Sequence, residues 1–152
     1  MWRALAFKYN IMSHVRILIH AVWATKDRKP FLNKENREAM KEHIKEYSKS
    51  KGIHLINVNG YVEHLHCLIS MEAEQNIATI MNLIKGESSL WAGKNLVLSE
   101  KFGWQDEYFA VSVSESHLVA VNNYINRQEQ HHNKKTFQEE YDQFMLNYKF
   151  GK

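Results

Sequence analysis

Residues 53–71, IHLINVNGYVEHLHCLISM, decide the fold. Asn59-Gly60 divides two runs rich in apolar and β-branched residues, so 53–60 and 61–71 are expected as consecutive strands joined at a tight hairpin or a bulge. Side chains of a strand alternate between its two faces. His64 and His66 therefore share one face, and Leu65 and Cys67 share the other, where a core is expected.

On the N-terminal side, VRILIHAVWA at 15–24 alternates in the same way, and a first strand is expected over 13–25. Lys26-Asp27-Arg28-Lys29-Pro30 ends it with charge and the chain's one proline. Between these strands, Ala39, Met40, Ile44 and Tyr47 recur at helical spacing within 34–50, with Asn33 as the N-cap and Gly52 as the stop. On the C-terminal side a second helix is expected over 75–91, with Ile77, Ile80, Met81 and Ile84 as its buried stripe. A strand follows at 107–113, then a helix at 115–132 capped by Ser114 or Ser116, and a last amphipathic stretch at 136–148 holding Gln138, Glu139 and Phe144. Strand, helix, strand, strand, helix, strand is the split βαβ order. It predicts an α+β, ferredoxin-like (RRM-like) antiparallel sheet with helices packed on one face, plus a C-terminal tyrosine-bearing helix.

A chain of 152 residues suits one domain, expected over 13–152, with 1–12 as an N-terminal extension ending at a second methionine, Met12. With 44% hydrophobic and 24% charged residues, the composition excludes collagen-like and disordered classes. The net charge of +3 permits nucleic-acid binding without announcing it. One cysteine excludes an internal disulfide framework and suits a cytoplasmic, reducing setting. The apolar run at 15–24 is interrupted by Arg16 and His20 and is too short to cross a membrane, so neither an export signal nor a membrane span is expected. Phosphate-loop sequences are absent, and no nucleotide cofactor is expected.

Two stretches carry chemistry. His64 and His66 on one strand face could converge on one divalent metal, or could be two solvated or hydrogen-bonded histidines on an open sheet face. No CxxC or HExxH accompanies them, so a zinc site is not indicated; two imidazoles plus an oxygen ligand would suit an ion that engages a phosphate. On a helix over 115–132, Tyr124, Gln128 and His131 fall along one face beside the apolar Leu118, Val121 and Ile125. Gln128 offers a carbonyl oxygen as a third ligand. Tyr124 could equally be a half-buried amphipathic residue, one of seven tyrosines, and a phenol ionising near ~10 needs help to attack at neutral pH.

Taken together, these stretches resemble the IS200/IS605-type single-tyrosine transposases, a group of HUH nucleases. The resemblance runs from about Ser13 to about Tyr148. It rests on His20 to Pro30 (HAVWATKDRKP), Gly60 to His66 (GYVEHLH), Ile84 to Ser89 (IKGESS), Trp104 to Val113 (WQDEYFAVSV) and Tyr124 to Gln128 (YINRQ) with the trailing His131-His132. Val62-Glu63 stands where the family usually has proline–aspartate. The resemblance implies His64, His66 and Gln128 as ligands of Mg²⁺ or Mn²⁺, and Tyr124 as the nucleophile that forms a 5′-phosphotyrosine link and frees a 3′-hydroxyl. It also implies a homodimer acting on single-stranded DNA with hairpin ends. Lys26, Arg28, Lys29, Lys85 and Arg127 are then candidate DNA contacts, although solvated charge explains any one of them. Trp23, Trp91 and Trp104 could stack on unpaired bases, but each serves core packing as readily. Three other readings are a domesticated repeat-associated tyrosine transposase, a non-catalytic single-stranded nucleic-acid-binding module, and a metal-dependent phosphoesterase that uses water.

Overall fold

The structure, a computed structural model, describes residues 13–148. The expected extension over 1–12 falls outside them. The elements in chain order are β1 (Ile17–Ala24), α1 (Lys34–Ser50), β2 (His54–Gly60), β3 (His64–Met71), α2 (Ile77–Asn95), β4 (Phe109–Val113), α3 (Leu118–Asn126), α4 (Gln128–His132) and α5 (Phe137–Asn147). The strands form one sheet in the order β2-β3-β1-β4. Every neighbouring pair is antiparallel. This is the expected α+β, ferredoxin-like arrangement, with the split βαβ order placing β1 and β3 side by side at the centre.

The helices form where the sequence caps them. The Asn33 side chain accepts from the Asn36 N–H at 2.8 Å to open α1. The chain leaves α1 at Gly52, whose φ of +69° is readily adopted only without a Cβ. The Asn76 side chain accepts from Thr79 N–H to open α2, which runs past the expected 91 to Asn95. The buried stripe of α1 is Arg37, Met40, Ile44 and Ser48; Ala39 faces solvent because Met40 and Ile44 set the phase of the stripe. Ile80, Met81, Ile84, Ser88 and Ala92 form that of α2.

Both helices lie on the face made by Ala21, Trp23, Val58, Leu65, Cys67 and Ile69. Burial of each large aliphatic side chain there stabilises the fold by roughly 1.5–3 kcal/mol. Trp23 and Trp104 belong to this core, and the Trp104 indole N–H donates to Ser88 Oγ at 2.9 Å. Trp91 stacks on His43 with ring centroids 4.5 Å apart. Burial pushes the Cys67 thiol up to about 12. Among the described residues no helix is long and apolar enough to cross a membrane.

The opposite face is covered as well. Val22, Phe109 and Phe137 form a second, smaller core there, with Val111, Tyr141 and Phe144 packed against it. The helix expected over 115–132 is divided. A 3-10 turn occupies Glu115–His117, α3 follows, and the backbone breaks at Arg127 (φ −101°, ψ 27°) before α4. Tyr124 sits on α3, and Gln128 is the first residue of α4.

The β2–β3 connection decides how the histidines are presented. A register shift between Leu55 and Asn57 makes Ile56 the extra residue, so the irregularity lies in β2 and not at Asn59-Gly60. After it, Asn57 pairs with Leu68 and Asn59 with His66. The turn at 61–63 closes with the Tyr61 N–H donating to His64 O at 3.0 Å. It is stitched to the end of β1 by Thr25 N–H to Glu63 O (2.8 Å) and to the segment before α1 by Leu32 N–H to Val62 O (2.9 Å). At Gly60 the backbone leaves no room: a Cβ would stand 2.1 Å from His64 O and 2.8 Å from a Leu65 methyl carbon. Gly60→Ala is therefore expected to destabilise the chain by roughly 1–3 kcal/mol, read as a lower urea midpoint, because the obstacle is backbone that cannot yield cheaply. An unchanged midpoint would mean that this turn relaxes freely.

Candidate active site

The second face of the sheet is polar at its centre. The alternation that sends Leu65 and Cys67 into the main core turns His64 and His66 the other way, and His20 of β1 falls on the same face. Asn57 and Asn59 of β2 reach up to α3: Asn57 Nδ2 donates to Asn122 Oδ1 (2.7 Å) and Asn126 Oδ1 (2.9 Å), and Asn59 Nδ2 donates to Ile125 O (2.8 Å). These bonds, with Ile125 wholly buried, hold the helix that carries Tyr124 over the histidines. Arg37 of α1 secures α4 by pairing with Glu129 at 2.5 Å while donating to Leu32 O at 3.0 Å.

Helix α5 closes the site. Thr136 and Glu139 form a capping box at its start. Phe137, Glu140, Tyr141 and Phe144 follow at helical spacing. Phe137 stacks on His64 with centroids 4.3 Å apart, and Phe144 stacks on Phe109 at 4.8 Å. Glu140 stands between these aromatics with its side chain 2% exposed.

His64, His66 and Gln128 have no solvent exposure, and Glu140 almost none. His64 Nδ1 lies 2.7 Å from Glu63 Oε1, and donating its N–H there leaves Nε2 as the lone-pair nitrogen. That lone pair faces Gln128 Oε1 at 3.1 Å. Gln128 Nε2 donates to Tyr124 O at 3.2 Å, which orients the amide with its oxygen toward the histidines. His66 Nδ1 is 2.9 Å from His20 Nε2. His66 Nε2 and Glu140 Oε1 are 3.0 Å apart but not aligned as a hydrogen bond, and neither atom has another hydrogen-bond partner.

This arrangement fits a metal. Two lone-pair atoms, His64 Nε2 and Gln128 Oε1, face each other, and two more buried polar atoms have no hydrogen bond. Ligand atoms of His64, His66 and Glu140 lie within 4.8 Å of one another. Imidazole nitrogens with carbonyl and carboxylate oxygens suit a borderline-to-hard divalent ion with open positions.

Tyr124 stands at the edge of this cluster. Its ring is T-shaped to that of His66, with centroids 5.6 Å apart. Its hydroxyl donates to Glu140 Oε2 and lies 3.3 Å from His131 Nε2. Burial and the Glu140 carboxylate push the phenol's pKa up, so it is held protonated. Burial alone would raise the Glu140 carboxyl, but the close approach of the His132 and His66 rings outweighs it and holds the group well below the usual carboxylate range. Glu140 Oε2 also lies 2.7 Å from His131 Nε2 and 3.3 Å from His132 Nε2.

Four residues singled out in the sequence, His64, His66, Gln128 and Tyr124, thus meet in one place. Lys26, Arg28 and Lys29 lie in the turn after β1. Asp27 and Arg28 adopt φ of 55° and 54° there, a left-handed pair that costs energy for non-glycine residues. The Arg28 guanidinium sits over Phe137 (5.0 Å) and Tyr141 (5.7 Å). Lys29 pairs with Glu100 at 2.8 Å. The Lys85 ammonium is engaged by Gln105 O (2.7 Å) and Asp106 O (2.8 Å), and Arg127 is exposed at the break between α3 and α4. Sequence reasoning passed over Glu140 and the supporting roles of His20 and Glu63. A carboxylate in the middle of the stripe Phe137, Tyr141, Phe144 was the signal for Glu140.

Residues 13–128 match the family described as "Transposase IS200 like". The ISDra2 transposase TnpA of Deinococcus radiodurans is 26% identical over 122 residues, covering 72% of this chain and 81% of that protein. Among solved structures, a Deinococcus radiodurans protein assigned as a transposase superposes with a TM-score of 0.64 at 21% identity, covering 78% of this chain and 95% of that one. A REP-associated tyrosine transposase bound to a REP hairpin superposes with a TM-score of 0.59 at 15% identity, covering 80% and 72%.

The buried histidines make stability depend on pH. Burial pulls His20 from 6.5 to about 4 and His66 from 6.5 to about 3, Glu140 opposing in both cases. Between those values the unfolded chain binds more protons than the folded chain, so stability is lost as pH falls below 6.5. In metal-free buffer the urea midpoint is expected to fall steadily between pH ~7 and ~4.5. A midpoint that stays level over that window would show that these imidazoles are not buried as neutral groups.

Proposed function

The chain belongs to the IS200-like transposase family, and we propose that it cleaves and rejoins single-stranded DNA through Tyr124 with the help of a divalent cation. The observation that carries this reading is the convergence of His64, His66, Gln128 and Tyr124 beneath the C-terminal helices. His64, His66 and Gln128 would hold Mg²⁺ or Mn²⁺, which would supply Lewis-acid polarisation of the scissile phosphate. Tyr124 Oη attacks phosphorus, its proton passes toward Glu140 Oε2, and the bond from phosphorus to the 3′-oxygen breaks, the departing 3′-oxygen taking up a proton from solvent. A 5′-phosphotyrosine and a free 3′-hydroxyl result. Attack by a new 3′-hydroxyl reverses the step, and the phosphodiester energy is conserved without a nucleotide cofactor.

The phenol is stored protonated in this state, which suits a nucleophile that waits for its substrate. His20 and Glu63 orient the two ligand histidines by contacting their Nδ1 atoms. A cleft beside α5, lined by Val22, Arg28, Tyr108, Phe109 and Tyr141, offers aromatic surface and a cation to an unpaired strand. Lys26, Lys29, Lys85 and Arg127 are further candidate phosphate contacts in this reading, which takes 13–152 as one domain. By analogy with the hairpin-bound relative, the substrate is single-stranded DNA with hairpin ends. Family membership supports a homodimer working in the cytoplasm.

The test incubates a labelled single-stranded oligonucleotide carrying the element's own end with Mg²⁺ or Mn²⁺. Wild-type protein is expected to give a denaturation-resistant protein–DNA adduct that Tyr124→Phe and His64→Ala abolish. Cleavage that survives Tyr124→Phe would make water the nucleophile. Hairpin binding with no adduct under any metal would leave a binding module.

A further inference from the structure

The proposed ligands His64, His66 and Gln128 are all neutral, whereas Mg²⁺ and its relatives are usually bound through at least one carboxylate. Among the described residues Glu63 meets the outer nitrogen of His64, and the acid whose oxygen groups with the ligand atoms of His64 and His66 is Glu140. Glu140 Oε1 lies 3.0 Å from His66 Nε2 and 3.8 Å from His64 Nε2, and it has no hydrogen bond. His66 Nε2, which faces it, has none either. Two buried polar atoms that approach closely without bonding to each other are a pair that one shared ion would satisfy. The other oxygen of the same carboxylate accepts the Tyr124 hydroxyl.

We propose that Glu140 is a fourth protein ligand of the divalent cation and, through its second oxygen, holds the Tyr124 hydroxyl in place, so that one side chain of α5 ties the nucleophile to the ion. The proposal rests on the metal-dependent reading above. It adds that the active centre extends past residue 128, where the family match ends, into the last helix. Helix α5 is built to deliver this carboxylate. Its capping box fixes the start, and Phe137 on His64 with Phe144 on Phe109 clamp it on either side of Glu140. Within such a frame a carboxylate retains little rotamer freedom to lose on binding. Charge points the same way. A buried carboxylate needs positive charge nearby, and a divalent ion held by the same cluster provides it.

Mn²⁺ titration by isothermal calorimetry, without DNA, separates this proposal from the reading it rests on. Wild-type protein, His64→Ala and Glu140→Gln are compared, each first shown to be folded by its metal-free melting transition. Glu140→Gln is expected to weaken Mn²⁺ binding by about tenfold or more, since loss of even an outer partner of a ligand costs that much. Glu140→Asp, which keeps the charge on a shorter arm, should fall between. If His64→Ala binds Mn²⁺ as wild type does, the metal reading itself fails. If His64→Ala loses binding while Glu140→Gln keeps wild-type affinity, the metal reading stands and Glu140 is a structural latch only. Should Glu140→Gln not fold, wild-type crystals soaked in Mn²⁺ decide the matter. An anomalous peak bonded to Glu140 Oε1, with Oε2 still on Tyr124, supports the proposal; a peak on His64, His66 and Gln128 with Glu140 turned away overturns it.

Discussion

The arrangement of the second face depends on one constraint: a carboxylate and several imidazoles are buried together, and each buried polar atom needs a counterpart. Leaving such groups unmatched costs several kcal/mol in total on any scale of polar burial, at roughly 1–3 kcal/mol for each neutral group. The pairs Glu63–His64, His20–His66 and Glu140 with His131 and His132 meet most of that demand. His66 Nε2 and Glu140 Oε1 are left over. The elements above the sheet are placed as they are because each brings one member of this set: α3 brings Tyr124, α4 brings Gln128 and His132, and α5 brings Glu140.

The two faces of the sheet divide the work. The face under α1 and α2 is apolar and supplies the stability that lets the other carry charge. The strands connect the two directly. β3 sends Leu65, Cys67 and Ile69 into the apolar core and His64 and His66 into the polar one, so these two histidines are fixed by the packing of their own neighbours. A one-residue slip in β3 would exchange the two sets. The bulge at Ile56 and the absence of room at Gly60 both act on this register, because β2 and the turn after it determine where β3 begins.

The sheet was legible because it rests on short-range pattern. Alternation in 15–24 and 53–71, the Asn33 cap and the Gly52 stop are local, and α1 occupies the expected 34–50. The convergence of His64 and His66 follows from strand geometry, and Gln128 still meets Tyr124 although the helix expected to carry both breaks at Arg127. Other features were less legible. The break at Arg127 has neither proline nor glycine to mark it; tertiary fit to the sheet decides it. The sheet face read as open is closed because 115–148 fold back over it, a long-range event with no local signature. Glu140 was hidden for a related reason. A glutamate on a helix is ordinarily solvated, and only its position among Phe137, Tyr141 and Phe144 sets it apart.

That last case bears on how such a site is recognised. The match to the family model ends at Gln128, after the histidine pair and the tyrosine. The segment beyond it supplies Phe137 against His64, the histidines at 131 and 132, and the carboxylate that touches both Tyr124 and the ligand cluster. Burial is what gives these contacts their strength. The electrostatic interaction between Glu140 and its neighbours is far stronger beneath α5 than it would be in water, and α5 is itself the cover that excludes the water. A short terminal helix thus bears on the buried cluster in two ways, as its roof and through the Glu140 carboxylate it places within it. Losing its aromatic anchors would weaken the site by admitting solvent even with every buried polar side chain still in place.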